Sequence, residues 1–197
     1  MEPEKMLKIG GYAGIVLAIL TISGLLVYSI YILPPLMEEN VGALTASLII
    51  IAGISIILTG PSYVLFGLGF QGGAKKFGKG IGTGAFVMAL LAGIFIMITG
   101  FGVIGLLAAL AAESLEAALA ALLILGIGIL LYALFVFIFN ILAIIYFFST
   151  EQGTLGGVGG ILLLIGQLIS LGVGIGYIIT LIGLILMGIC LLKQSKL

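Results

Sequence analysis

Lysines and glycines occur close together in one stretch of this 197-residue chain, QGGAKKFGKGIGTG at residues 71–84. Glycine-rich loops bind phosphate when backbone N–H groups and a lysine converge on it, which requires Lys followed by Ser or Thr between a strand and a helix. Here Gly80 follows Lys79, and both flanks are long apolar runs. The stretch therefore predicts a short basic loop, in which Lys75, Lys76 and Lys79 face the cytosol and contact anionic lipid headgroups.

Uncharged polar residues inside the apolar runs are the other candidates for a site. Gly60 and Pro61 interrupt the second run, and Ser62 and Tyr63 follow directly. A helical proline removes a backbone hydrogen bond. The break is either a packed kink capped by neighbouring hydroxyls, which is the favoured interpretation, or a discontinuous helix whose free carbonyl binds a solute.

Asn140 and Gln167 are the strongest hydrogen-bonding side chains well inside the runs. A rise of 1.5 Å per residue places them about 13 and 18 Å above the same end of two successive spans. We therefore predict that they meet across a helix interface. Such bonds average only about 0.6 kcal/mol in membranes, so this one fixes register. Contact with a solute inside the bundle is the alternative.

The missing residue types exclude several functions. The chain has no histidine or tryptophan, its seven basic residues are all lysine, its seven acidic residues are all glutamate, and it has one cysteine. Ion-coupled pumps, proton relays and voltage sensors use ionisable groups at membrane depth, and haem and zinc sites use His, Cys or carboxylate ligands. We therefore expect no catalytic residues, no cofactor, no metal and no nucleic-acid partner.

Composition predicts the elements that position these residues. Apolar residues make up 63% of the chain, charged residues 7%, and the mean hydropathy is +1.50, whereas soluble domains carry about 25% charged residues. Charges separate uncharged runs that are each long enough to cross the hydrocarbon core, which takes about 20 residues. These runs are residues 9–37, 40–74, 80–112, 117–150 and 152–192. We predict an all-α, polytopic transmembrane helix bundle, one domain in the cell membrane with the lipid bilayer around it.

The last run contains one long tilted helix or two short spans that reverse at the glycine-rich residues 170–177. With six spans all seven lysines are cytoplasmic, whereas five spans move Lys193 and Lys196 outside. Lysines near span ends stay inside, so six spans with both termini cytoplasmic are favoured. Glu38, Glu39, Glu113 and Glu116 are then outside. The predicted spans are residues 9–33, 43–70, 82–110, 118–148, 155–171 and 175–192.

Glycine is abundant, with 32 residues. In lipid, small residues let helix backbones approach closely, and we expect this of Gly10 and Gly14 and of Gly156 and Gly160. The strings GGYAGIVLAI at Gly10 and GGVGGILLLI at Gly156 share six identities. They are either a parallel internal repeat or a chance match in a Gly/Ile/Leu alphabet.

The segments GGVGGILLLIGQLI and TLIGLILMGICLLK resemble the carboxyl ends of small, mostly archaeal, multi-pass membrane protein families of unknown function. The resemblance covers about a fifth of the chain. It implies a similar membrane architecture and transfers no catalytic or binding residue.

Two function classes remain. The first, which the sequence favours, is a structural or accessory subunit of a homo- or hetero-oligomeric membrane assembly, packing through glycine-rich faces and the aromatic run around Tyr132. The second is a channel or facilitator for a small neutral solute, with Pro61, Tyr63, Asn140 and Gln167 along its path. Few polar groups are present to replace a solute's lost water. A polar path through the bundle would favour the second class, and an occluded interior the first.

Overall fold

Helices make up nearly all of the chain that the structure describes. The computed structural model describes residues 1–27, 41–170 and 175–197 and the single positions 29, 34 and 37. In order, the helices are α1 (Pro3–Val27), α2 (Val41–Ile54), α3 (Gly60–Phe77), α4 (Gly80–Ala111), α5 (Leu115–Ser149), α6 (Thr154–Ser170) and α7 (Ile175–Gln194). A π-helical segment, Ser55–Thr59, joins α2 to α3 without a break. The prediction of an all-α fold is confirmed for these residues.

Five helical stretches of the described chain are long and apolar enough to cross a membrane. They are Pro3–Ser23, Leu44–Phe77, Ile81–Ala111, Leu115–Ser149 and Ile175–Gln194, and Thr154–Ile169 is a shorter apolar helix. The chain therefore has the helices of a multi-pass membrane protein. Two predicted features, the turn with Glu38 and Glu39 and the centre of the reversal at residues 171–174, lie outside the described residues.

The helices pack side by side in a closed ring. α1 contacts α3, and the contacts continue from α3 to α4, α5, α6 and α7 and back to α1. An ion pair of 3.1 Å joins Glu4 in the first turn of α1 to Lys76 in the last turn of α3. At the same end, Gln194 of α7 bonds Thr150 just beyond α5. Both termini therefore lie at one end of the ring, here called the termini end. The opposite end is the hairpin end, where residues 112–114 connect α4 to α5.

Glycine pairs bring helix backbones into contact at four interfaces. A Cβ on Gly183 would lie 2.6 Å from the carbonyl oxygen of Gly159, and one on Gly159 would lie 2.8 Å from that of Gly183. Helices in lipid associate through such close van der Waals packing. The other pairs are Gly10 with Gly69 (α1/α3), Gly11 with Gly188 (α1/α7) and Gly60 with Gly93 (α3/α4).

The glycines that were expected to pack together use different kinds of partner. Gly14, like Gly10, lies against α3, where its nearest neighbour is the ring of Phe66. Gly156 and Gly160 instead lie against side chains of α5, those of Phe147 and Ile144. Of the four glycines expected to bring helix backbones together, Gly10 alone has another helix's backbone as its nearest neighbour, and the other three pack against side chains.

The lysine-rich stretch is mostly helical, which corrects the predicted loop. α3 carries Lys75 and Lys76 in its last turn. Only Gly78 and Lys79 separate α3 from α4, and Gly78 has a φ of 66°, a left-handed conformation that glycine adopts without steric cost. α3 continues through this stretch because its glycines pack against other helices. Gly73 lies against the Tyr146 hydroxyl, where a larger side chain would not fit.

α4 and α5 form a hairpin much longer than that of α6 and α7. They contain 32 and 35 residues, about 48 and 52 Å at 1.5 Å per residue. α6 and α7 contain 17 and 20 residues, about 26 and 30 Å. Large apolar side chains of α5 are exposed near the hairpin end, among them Leu115, Leu119 and Leu123.

Candidate functional site

A half-open cavity of about 460 Å³, with polar and apolar residues in its wall, lies between the helices of the ring and the π-helical segment. Every helix of the ring and the π-helical segment contribute to its wall. Seven of the residues that line it have polar side chains, six with a hydroxyl group and one with an amide: Thr21, Ser55, Tyr63, Tyr132, Tyr177, Thr180 and Gln167. The remaining wall residues are aliphatic. The cavity thus offers several hydrogen-bond donors and acceptors and no formal charge.

Two tyrosines, one from each of the helices α3 and α5, meet at the cavity wall. The Tyr132 hydroxyl of α5 donates to the Tyr63 hydroxyl of α3 at 3.1 Å. Their rings are edge to face, with centroids 5.8 Å apart, a favourable arrangement for aromatic pairs. A smaller cavity of about 110 Å³ shares both tyrosines and adds Thr59 to the wall.

Asn140 and Gln167 meet as predicted. Asn140 Nδ2 donates to Gln167 Oε1 at 2.6 Å, so the predicted contact between α5 and α6 is confirmed. Asn140 is fully buried, and its Oδ1 has no hydrogen-bond partner. A buried polar atom left unpaired costs about 1–3 kcal/mol. Gln167 is itself a wall residue, so Asn140 contacts the cavity wall through its bond to Gln167 and does not line the cavity.

Aromatic side chains fill the ring on the termini side of the cavity. Five fully buried rings form this aromatic plug: Phe66, Phe70, Phe139, Tyr146 and Phe147. Neighbouring ring centroids are 5.3–5.7 Å apart in edge-to-face contacts. α3 and α5 supply all five, so these helices meet through the centre of the ring. The plug closes the bundle between the cavity and the termini end.

A hydrogen-bond network fastens α7 to α5 beyond the plug. The Tyr146 hydroxyl donates to Gln194 Oε1 at 3.0 Å, and Gln194 Nε2 donates to Thr150 Oγ1 at 2.9 Å. Gln194 and Tyr146 are fully buried. Another cavity, of about 500 Å³, opens at the termini end, with Thr150, Lys79 and Glu151 in its wall. Thr150 thus belongs both to the network and to the surface of the termini end.

The structure separates the polar positions that the sequence singled out. Tyr63 and Gln167 are wall residues, and Asn140 is bonded to Gln167. Pro61 is exposed on the bundle surface. It directly follows the π-helical segment within a continuous helix, so the predicted break at this proline is a local change of helical winding. Ser62 is buried but does not line the cavity. The path proposed from sequence therefore loses Pro61.

The predicted lipid-contacting lysines are all at the termini end. Lys75 and Lys79 are exposed, and Lys76 is half-buried and paired with Glu4. Within the described ranges, no three His, Cys, Asp or Glu side chains lie close enough together to hold a metal ion. The one cysteine, Cys190, is buried beside the backbone of Gln152.

Sequence reasoning missed most of the hydroxyls in the wall. Thr21, Ser55, Tyr132 and Thr180 lie 18, 22, 17 and 14 residues from the termini-end limit of their helical stretch, or about 20–35 Å along the axis. A shared depth in neighbouring spans is the signal that could have found them. Each hydroxyl on its own is an ordinary feature of a membrane helix.

Comparison with protein-family models, curated proteins and solved structures gives no match to this chain.

Proposed function

We propose that this chain is a non-catalytic, six-span protein of the cell membrane that facilitates the movement of a small uncharged polar solute. The observation that carries the proposal is the cavity to which every helix of the ring contributes polar or apolar wall. Its volume of about 460 Å³ is within the range of about 300–1,000 Å³ that is typical of small-molecule sites. The accessory-subunit hypothesis, which the sequence favoured, does not account for this cavity.

The chemistry of the wall selects an uncharged solute. An ion that enters must lose its hydration, which costs many kcal/mol unless an opposite charge compensates. The wall provides hydroxyls and one amide, and no lysine or glutamate. A neutral polar molecule can exchange its bonds to water for bonds to these groups at little cost. The facilitator is therefore proposed to carry no charge across the membrane.

The proposed orientation places the termini end in the cytosol. All seven lysines lie in the predicted cytoplasmic segments, and Lys75, Lys76 and Lys79 cluster there. The cavity is then on the outer side of the aromatic plug. Passage requires the rings of Phe66, Phe139 and their neighbours to separate, so the described conformation represents a state closed to the cytosol.

The test is solute flux into liposomes that contain the purified protein. We expect uptake of at least one small uncharged solute, such as glycerol or urea, above that of protein-free liposomes, without an ionic current. Ser55→Phe should block this uptake because the added ring enters the cavity. Leu58→Phe is the matched control, since Leu58 belongs to the same π-helical segment and is 46% exposed on the bundle surface.

Flux equal to that of protein-free liposomes for every solute would reject the facilitator. Equal flux in the Ser55→Phe and Leu58→Phe variants would show that solute does not pass through this cavity.

The accessory subunit remains the second candidate because of the exposed α5 surface near the hairpin end. Leu115 and Leu123 are 75% and 67% exposed, and the α4–α5 hairpin is long enough to extend past the shorter α6–α7 hairpin. Another membrane subunit, or a second copy, would cover this surface. An inactive protein that purifies in mild detergent together with one defined subunit would favour this candidate.

A further inference from the structure

We infer that the solute is a hydrogen-bond donor, a polyol or a primary amide in chemical class, and that Asn140 with Gln167 selects for it. The inference rests on the proposed solute site and deepens it. The unpaired Asn140 oxygen is the feature from which it is drawn. The solute's O–H or N–H group is the partner that this oxygen lacks.

Asn140 can use only one of its two polar atoms within the protein. Its Nδ2 is committed to Gln167 Oε1 at 2.6 Å, whereas its Oδ1 is buried without a partner. Among the described residues, the only other buried side-chain oxygen in this condition is Oε1 of Gln71. Native interiors seldom leave such atoms unpaired, and those that remain unpaired are often at functional sites.

Gln167 connects the unpaired oxygen to the cavity. Its side chain forms part of the wall and also accepts the hydrogen bond from Asn140. Asn140 itself has no exposed surface, and its neighbour Phe139 belongs to the aromatic plug, so a solute in the cavity reaches Asn140 when the rings of the plug separate. The solute's donor can then bond Asn140 Oδ1 while Asn140 Nδ2 keeps its bond to Gln167.

The hydroxyls of the cavity do not discriminate in the same way. The hydroxyl groups of Tyr63 and Thr180 can each donate or accept, so they can bond a donor or an acceptor on the solute. Asn140 Oδ1 can only accept. A molecule with acceptors alone therefore leaves this oxygen unpaired, and a site built to bond a donor disfavours an analogue that lacks it.

The experiment compares acetamide with N,N-dimethylacetamide, which has the same carbonyl group and no N–H donor. Saturation-transfer difference NMR on the protein in nanodiscs, corrected with empty nanodiscs, measures the affinity of each by titration. We expect the wild-type protein to bind acetamide about tenfold more tightly, which corresponds to one hydrogen bond. Similar affinities for the two amides would overturn the inference, and this comparison requires no variant.

Variants then assign the preference to Asn140. Asn140→Leu should reduce the preference for acetamide to about one, because the acceptor is lost. Asn140→Asp should restore it, since a buried protonated carboxyl group keeps an acceptor oxygen and can still donate to Gln167. A preference that persists in Asn140→Leu would overturn the role of Asn140.

Binding at equilibrium does not require passage through the membrane. Donor-selective binding without flux would reject the facilitator and support this inference. Flux without donor-selective binding would support the facilitator and reject this inference.

Discussion

At the scale of single residues, the sequence predicts the contacts of those polar side chains that are rare within apolar runs. Asn140 and Gln167 could be predicted as a pair because an amide has few reasons to lie within an apolar run. Threonine gives no such signal, since its hydroxyl bonds its own helix wherever it points: Thr21 donates to the Leu17 carbonyl at 2.9 Å although it also lines the cavity. The cavity residues with hydroxyl groups could therefore be identified only from the arrangement of the helices in the ring.

A prediction at this scale concerns the hydrogen bond between Tyr146 and Gln194. Tyr146→Phe leaves Gln194 Oε1 without its donor, and Gln194→Leu leaves the Tyr146 hydroxyl without its acceptor. Each single change should therefore lower the free energy of unfolding by about 1–3 kcal/mol. The double variant leaves neither group unpaired, and it should lose less than the sum of the two.

Equilibrium unfolding in mixed micelles with increasing dodecyl sulfate measures these differences. Strict additivity would mean that the two side chains do not depend on each other for stability.

At the scale of elements, the sequence could indicate that glycine packs helices but not which helices meet. Glycine is spread over nearly all the spans, and the partner of each depends on a ring order that the local sequence does not encode. The end of α3 was misjudged for the same reason. Glycines and lysines near Gly73 resemble a loop in sequence, yet packing against Tyr146 keeps them helical.

The Gly159–Gly183 contact should be sensitive to a single methyl group. Gly183→Ala places a Cβ against the backbone of α6, so the α6 and α7 helices must separate, and we expect a loss of about 1–3 kcal/mol in unfolding free energy. Gly126→Ala is the control, because its Cβ would have no neighbour within 4 Å. It should be neutral or slightly stabilising, since alanine is the better helix former.

The same micellar unfolding measurement applies to both alanine variants. Equal effects would mean that the α6–α7 interface does not depend on backbone contact.

At the scale of the whole molecule, composition and the length of the apolar runs were sufficient for the fold class. Membrane spans are helices or barrel strands, and continuous apolar runs of this length form helices. The order of the ring was not predictable. Lipid-facing and protein-facing surfaces are both apolar here, so no periodic pattern marks the side of each helix that turns inward. The cavity follows from that order, and it was therefore beyond the sequence as well.

Orientation in the membrane is tested with single cysteines in a Cys190→Ser background. Ala112→Cys lies in the turn between α4 and α5, and Lys196→Cys lies beyond α7; both positions are exposed. In intact cells, an impermeant thiol reagent should label position 112 and not position 196. Labelling at both positions would support five spans, and labelling at 196 alone would invert the proposed orientation.

The π-helical segment Ser55–Thr59 affects which residues form the wall of the cavity. A π-turn closes its hydrogen bonds one residue later than an α-turn. If the segment changed to α-helical pitch, α2 would turn by about 100° about its axis and shift by about 1.5 Å relative to α3. Ser55 and Ile51 would rotate out of the wall, while Tyr63 on α3 would stay in place. A local change of winding, with no hinge and no loop, would thus change which side chains line the cavity.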